Sequence, residues 1–476
     1  MPSAPTRQIL IPMIIACALF MENLDSTVIA TALPAIARDI GTSPLQLNLA
    51  ITSYLLSLAV FIPLSGWMAD RFGARTVFRA AIGVFMLGSI LCGFSNGLPE
   101  MVAARVLQGM GGAMMVPVGR LVILRTIPKA DLVNAMAYLT VPALLGPVVG
   151  PPLGGFIVTY GSWRWIFFIN VPIGILGIVL ATVFIDNVRE AESWKLDVTG
   201  FLMTGIGLAG LVFGFESIGR GVVPTAVVVA LLCGGLICLA AYVVHMRSTP
   251  QPIVDLGLLR IPTFNVAIIG GSLFRIGVGA LPFLTPLMLQ VGFGLSALNS
   301  GLITFASAAG ALAMKMTAGP ILRAFGYRPV LIANTLINGV FFMGYALFQP
   351  GTPHALIFLL LLAGGFFRSL QFTSVSTLSY ANVMPPQMSR ATSLSSMAQQ
   401  LSVSIGVGTA ALLLHVTLVV RGSETLGAGD FAPAFIGVGL ITLTSLAFFV
   451  RLSGDAGAEV GGKIARASEP KPSLSD

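Results

Sequence analysis

The sequence predicts an all-α membrane protein of fourteen transmembrane helices, arranged as two six-helix bundles with an inserted helix pair between them. Three observations carry this reading. Only 9% of the 476 residues are charged and 56% are apolar, against about 25% charged in soluble domains, so water cannot be the main solvent of this surface. Apolar runs long enough to cross about 30 Å of hydrocarbon recur along the chain. A ten-residue loop pattern also returns 253 residues after its first appearance.

The expected spans lie at roughly 9–34, 46–66, 77–96, 99–121, 132–158, 164–185, 198–218, 222–244, 263–290, 296–318, 329–348, 354–379, 393–420 and 431–451. The first is too long for a signal-peptide core and carries Glu22 and Asp25, so it reads as a retained helix. Pro142, Pro147 and Pro151 punctuate the fifth; membrane helices tolerate this where neighbours satisfy the freed backbone groups. Cys17, Cys92, Cys233 and Cys238 sit inside apolar runs without zinc or CxxC spacing and read as packing residues. Short connections leave no room for an inserted soluble domain.

The net charge is +8. Eighteen Lys and Arg residues fall on the side of the two termini, and four, Arg38, Arg164, Arg220 and Arg421, fall on the other. The positive-inside rule then places both termini in the cytoplasm. The basic balance is a topology signal, and nucleic acid is not an expected partner. Of the four basic residues within spans, Lys315 is near enough to a cytoplasmic helix end to snorkel. Arg105, Arg275 and Arg368 need another reason.

The loop pattern is Gly66-Trp-Met-Ala-Asp70-Arg71-Phe72-Gly73-Ala74-Arg75 between spans two and three, and Gly319-Pro-Ile-Leu-Arg323-Ala-Phe325-Gly326-Tyr-Arg328 between spans ten and eleven. Coincident Gly, Phe, Gly and Arg positions indicate a duplicated unit. The expected units are residues 1–195 (N-terminal bundle), 196–250 (inserted pair), 251–454 (C-terminal bundle) and 455–476 (a cytoplasmic tail of disordered composition). Parallel repeats around a midplane cavity are a transporter architecture.

Residues 66–75 resemble the G-x-L-A-D-R-x-G-R-R loop signature of the major facilitator superfamily. Arg105-Val-Leu-Gln108-Gly109-Met-Gly111-Gly112-Ala113 resembles its fourth-helix motif, and Gly146-Pro147-Val-Val-Gly150-Pro151-Pro-Leu-Gly154-Gly155 is similar to its fifth-helix antiporter motif. Leu24-Asp25-Ser-Thr27-Val-Ile-Ala-Thr-Ala32-Leu33-Pro34 resembles the first-helix motif of drug:proton antiporters. With fourteen spans, the resemblance is to the 14-spanner drug:proton antiporter family, of multidrug efflux permease type. It departs at Ala74, where a basic residue is usual, at Met68, where Leu is usual, and at Arg323, which stands where the first loop has Asp70.

The resemblance implies a major facilitator fold and a bacterial inner-membrane exporter, not an enzyme, that exchanges small amphipathic compounds for protons by alternating access. It needs no cofactor beyond the proton gradient. Its expected partners are a small-molecule substrate, protons and the lipid bilayer, either as a monomer or with periplasmic adaptor proteins. The same resemblance makes Asp25 the proton carrier, Gly66, Asp70, Arg71, Gly73 and Arg75 a conformational gate loop, and Gly146, Pro147, Gly150, Pro151, Gly154 and Gly155 a leak-preventing seal.

Depth and charge give an independent view of these residues. At 1.5 Å per residue, Asp25 and Arg105 both lie about 10–14 Å below the external surface. An isolated charge there costs at least about 2.5–3.5 kcal/mol, so an acid–Arg pair or a wet cavity is expected. Such a pair is either a proton site or a static structural link. Glu22, on nearly the same helix face as Asp25, has three open roles: proton coupling, substrate contact, or lining of a wet cavity. Gln108 belongs to the same candidate site. Arg275 and Arg368 lie mid-helix in a half with no intramembrane acid. Either one faces the cavity and binds an anionic or zwitterionic substrate, or they pair with Glu22, Asp25 or backbone carbonyls. An exporter of an anionic metabolite or lipid-like molecule is therefore the alternative transporter, and a non-transporting membrane sensor is the alternative of another class. Gln371, Gln290 and Asn334 offer polar contacts to the cavity or ordinary helix–helix hydrogen bonds.

Two tempting motifs fail. Gly457 to Ile464 mimics a phosphate loop but has Ile464 where a magnesium-binding Ser or Thr is required. Gly93-Phe-Ser95-Asn-Gly97 matches GxSxG at a helix exit, without the strand-to-helix elbow a hydrolase needs.

Overall fold

The computed structural model describes residues 4–127, 132–187, 196–218, 223–250, 252–384, 387–423, 425–454 and 456. The tail from 457 onward lies outside them. So do Lys129, Arg189, Lys195 and Arg220, which entered the orientation count.

All the regular elements among the described residues are helical. The expected spans correspond to α1 (Ala4–Asp39), α2 (Pro44–Phe61), α3 (Ala74–Phe94), α4 (Leu98–Thr126), α5 (Leu132–Tyr160), α6 (Trp165–Phe168 continued by Asn170–Phe184), α7 (Val198–Ser217) and α8 (Thr225–Ser248). The second half supplies α9 (Pro262–Leu287), α10 (Ala297–Phe325), α11 (Tyr327–Gly344), α12 (His354–Leu378), α13 (Met388–Arg421) and α14 (Phe431–Thr444 continued by Leu446–Phe449). Among the described residues 13 helical segments are long and apolar enough to cross a membrane, and α5 coincides with the remaining expected span.

Local chemistry sets the ends. Ser43 and Gln46 cap α2 reciprocally, the Gln46 amide donating to Ser43 Oγ at 3.2 Å and the Ser43 amide to Gln46 Oε1 at 3.4 Å, with Pro44 in the first turn. The second span stops at Phe61, short of the expected 66. Pro63 lacks an amide donor and its ring clashes with a continuing helix; Ser65 Oγ instead bonds the Ile62 carbonyl at 2.7 Å and starts the short Leu64–Phe72 helix.

The duplicated loop is also a duplicated structure. Gly73 and Gly326 both take a positive φ, 90° and 81°, which glycine adopts without steric cost. Two residues later, Arg75 Nη1 donates to the Ile185 carbonyl at 3.2 Å just past α6, and Arg328 Nη2 donates to the Val450 carbonyl at 3.1 Å just past α14. Each half thus ties its third helix to the orphan carbonyls ending its sixth.

Helices α1 to α6 pack together, as do α9 to α14. The inserted α7 and α8 pack on each other, and α7 touches α2 and α13 from outside. Their ends are joined by His245 Nε2 to Asp197 Oδ1 at 2.8 Å, and Tyr242 Oη donates to the Val254 carbonyl at 2.6 Å, holding the lead into the second half. The halves meet along α5–α10 and α2–α13, contacts that are repeat images of each other. At the end away from the termini these contacts are tight. A β-carbon on Gly301 would fall on the Pro151 carbonyl, and one on Gly155 on the Ala297 carbonyl.

Gly73 gives a direct check. A β-carbon there would also collide with the Asn187 side chain, so Gly73→Ala is expected to cost about 1–3 kcal/mol. Gly66→Ala, where nothing lies within 4 Å, is the neutral comparison. Thermal unfolding of the purified variants in detergent measures the difference.

Candidate functional site

Asp25 lies on α1 and Arg105 on α4, at the matched depths inferred from sequence, and the fold brings them together. Arg105 Nη1 donates to Asp25 Oδ2 at 2.6 Å, with both side chains almost fully buried. Arg105 Nε donates to the Ala50 carbonyl at 3.0 Å, its guanidinium lies 4.3 Å from the centre of the Tyr54 ring, and Nη1 also reaches Gln108 Oε1. Gln108 Nε2 donates to Asp25 Oδ1 at 2.9 Å and to Ser89 Oγ at 2.6 Å. Asn170 of α6 donates to the same two acceptors at 3.0 and 3.1 Å. The carboxylate therefore accepts three donors from two helices, and the pair forms a polar core inside the first bundle, in which Arg105 Nη2, Asn170 Oδ1 and Tyr54 Oη are left without partners.

Ser89, Asn170 and Tyr54 escaped the sequence reading. Their only signal was a polar group alone in an apolar run, and that pattern does not say which neighbour it meets. Gln108 was expected at the substrate cavity. Its amide is fully engaged by Asp25, Ser89 and Arg105, so it is buried away from open space. Gln371 is likewise drawn into a helix–helix cluster, donating to Thr335 Oγ1 at 2.7 Å and accepting from Asn334 Nδ2 at 3.0 Å.

Glu22 behaves differently. It lines a cavity of about 650 Å³ between the halves, together with Arg120, Phe372, Tyr380 and Gln399. The cavity lies among the α4, α12 and α13 ends that share the side of the termini. Glu22 Oε2 is buried without a hydrogen-bond partner. A smaller cavity of about 120 Å³ lies toward the opposite end, with Arg368, Thr31, Tyr345 and Pro151 in its wall; Pro147 lines both. Arg275 borders neither space directly. Its guanidinium sits 5.3 Å from the centre of the Phe372 ring, with Nε and Nη1 unpartnered.

The fifth-helix glycines divide into two surfaces. A β-carbon at Gly146, Gly150 or Gly154 would strike Asn23, Thr27 or Val28 of α1, so that face closes α5 onto its own bundle. Contact with the other half passes instead through Gly155 and Pro151. Gln290, at the end of α9, crosses between halves and donates to the Thr31 carbonyl at 2.9 Å. In the loop, Gly73 and Arg75 make the tie described above, while Gly66 and Arg71 are exposed. Among the described residues no group of three or more His, Cys, Asp or Glu could hold a metal ion.

The family model for the Major Facilitator Superfamily matches residues 15–407 and 267–475. The chain belongs to this superfamily. Two relatives bearing the name multidrug resistance protein MdtD agree: that of Citrobacter koseri is 39% identical over 452 residues, covering 93% of this chain and 94% of the relative, and that of Salmonella typhimurium is 41% identical over 405 residues, covering 84% and 85%. Among solved structures, a D-xylose-proton symporter superposes with a TM-score of 0.67 at 17% identity, covering 94% of this chain and 98% of that one. The human organic anion transporter MFSD10 gives 0.60 at 14%, covering 94% and 100%. At these identities the two structures speak for the fold alone. The chain is a multi-pass major facilitator protein and a secondary transporter of multidrug-efflux kinship.

The polar core can be tested by truncating one partner at a time. Asp25→Asn or Arg105→Gln leaves an unbalanced buried group and is expected to cost about 3–5 kcal/mol. The double variant is expected to recover part of that loss. A double-mutant cycle on thermal unfolding measures the coupling, and additive losses would mean that the pair is not coupled.

Proposed function

We propose that the chain exports small amphipathic compounds in exchange for protons, by alternating access, across a bacterial inner membrane with both termini in the cytoplasm. The observation that carries this reading is the asymmetry of the interface: a wide cavity holding an unpartnered carboxyl, Glu22, toward the termini, and tight α5–α10 contact at the far end. With the termini cytoplasmic, this is the inward-open state, in which cargo enters and a proton leaves.

The proton chemistry follows from burial. A carboxyl enclosed by hydrocarbon exchanges a proton only where water or a cation reaches it. Glu22 is the group that open space reaches, so it exchanges protons with the cytoplasm in this state. Asp25 is paired with Arg105 in this state, and separation of that pair makes it the carrier for the opposite state. Rocking of the 1–195 unit against the 251–454 unit, with 196–250 carried along outside, exposes the two acids in turn. The Asp70, Arg71 and Arg75 loop braces the cytoplasmic end, and Gly155 and Pro151 against Gly301 form the external seal. The gradient supplies the energy, so the protein acts without cofactor and without catalysing a reaction.

Proteoliposomes loaded with a panel of amphipathic cations, anions and neutral compounds test the reading. An imposed pH gradient is expected to drive accumulation of at least one compound with counterflow of protons. Glu22→Gln and Asp25→Asn are each expected to bring gradient-driven accumulation to the level of empty vesicles while leaving gradient-free exchange. Accumulation independent of the gradient, or unchanged in both variants, contradicts proton coupling.

A further inference from the structure

The four residues Arg105-Val-Leu-Gln108 of α4 recur as Arg368-Ser-Leu-Gln371 in α12, the repeat-equivalent helix of the second half, but two turns further along it, since the Tyr54 carbonyl faces Gly109 and its image, the Ser307 carbonyl, faces Gly365. Both glutamines do the same work. Gln108 bonds Ser89 on α3, and Gln371 bonds Thr335 on α11. Each arginine also stands near a tyrosine: Arg105 over the Tyr54 ring, and Arg368 beside Tyr345 in the wall of one cavity.

The halves differ in one element. On α1 the carboxylate of Asp25 neutralises Arg105, but the residue 253 positions later on α9 is Val278. α9 carries no Asp or Glu between Pro262 and Leu287, so Arg368 has no acid on it to match the one Asp25 offers Arg105. Among the described residues no ion pair or hydrogen bond is recorded for it, and its side chain borders the cavity of about 120 Å³. Thr31 Oγ1, a buried hydroxyl with no partner, lies in the same wall. The surrounding charge is mostly positive. Arg120 lines the larger cavity, Arg275 stands behind Phe372, and Lys315 lies beside the same ring; Glu22 is the acid that faces them.

We propose that Arg368 is the anchor for an anionic group of the cargo, a carboxylate or an equivalent oxyanion, held in the cavity whose wall Arg368 shares with Thr31. The guanidinium provides two parallel donors, Thr31 provides a third, and the apolar wall formed by Leu281, Pro282 and Leu361 receives the adjoining hydrocarbon. The cavity is of the order of the ~150 Å³ that holds a benzene ring, so it fits the head of an amphipathic acid and leaves the rest of the molecule to the larger space. Cargo completes an unfinished ion pair, and a cation of the same shape is rejected by like charge. This inference rests on the transport reading for its biological meaning, but binding to Arg368 needs neither gradient nor transport.

The test uses purified full-length protein in nanodiscs near neutral pH, with benzoate, benzamide and benzylamine as anionic, neutral and cationic probes of one shape, and calorimetry as the readout. Benzoate is expected to bind, and the other two are expected to bind at least about tenfold more weakly. Arg368→Gln is expected to weaken benzoate about tenfold or more and to abolish the preference over benzamide, while Arg368→Lys retains part of it. Should Arg368→Gln fail to fold, Thr31→Val, which removes one neutral donor, is expected to weaken benzoate several-fold and leave benzamide unchanged. The proposal is overturned if wild-type protein binds no benzoate, if benzamide binds as well as benzoate, or if the variants bind benzoate like the wild type. Benzoate binding with no gradient-driven accumulation of any compound would refute proton-coupled export while leaving the anion site intact.

Discussion

A charged side chain inside hydrocarbon must be neutralised by a partner, reach water, or cost several kcal/mol, and the arrangement of this protein's working residues follows from that constraint. The first half satisfies it internally. Asp25 and Arg105 neutralise each other, and the spare donors of Gln108 and Asn170 are spent on Asp25 and Ser89. Such a network resists piecemeal loosening in this state, because freeing any one member strands another in a low dielectric. While the pair is closed the network holds α1, α4 and α6 as one body, and opening of the pair in the opposite state is the step that frees Asp25.

The second half keeps the frame and omits the acid. Gly326 and Arg328 reproduce the loop of Gly73 and Arg75, and Gln371 reproduces the helix tie of Gln108. What is left unpaired is the positive charge of Arg368, and across the interface the carboxyl of Glu22.

The fold was legible because its signals are long. Twenty-residue apolar runs, loop charges and a ten-residue repeat each survive small errors, and the family motifs confirm their order. The Asp25–Arg105 pair was legible from depth alone, since two opposite charges at one level in lipid have little choice of partner. Other features were hidden for definite reasons. Asn170 and Ser89 join the pair from α6 and α3, a convergence set by rotation about helix axes that spacing does not encode. Gln108 and Gln371 look equally suited to a cavity or a helix contact, and only the position of Ser89 and Thr335 decides between them. The glycine face of α5 announces close packing but not its partner, which proved to be α1 at Gly146, Gly150 and Gly154 and α10 only at Gly155. Pro63 ended α2 early because a break inside an apolar run leaves hydropathy unchanged.

The central claim is that the protonation state of the carboxyls in the first half sets which end of the interface is open. Pulsed electron-spin distance measurements test it most directly. One spin-label pair would span the far end, on α5 beside Pro152 and on α10 beside Leu298; a second would span the cavity end, on α4 beside Arg120 and on α13 beside Gln399. Lowering the pH is expected to lengthen the first distance and shorten the second together, and Glu22→Gln is expected to hold the acidic distribution at every pH. Distances that stay fixed across pH, or that lengthen at both ends together, would contradict the account.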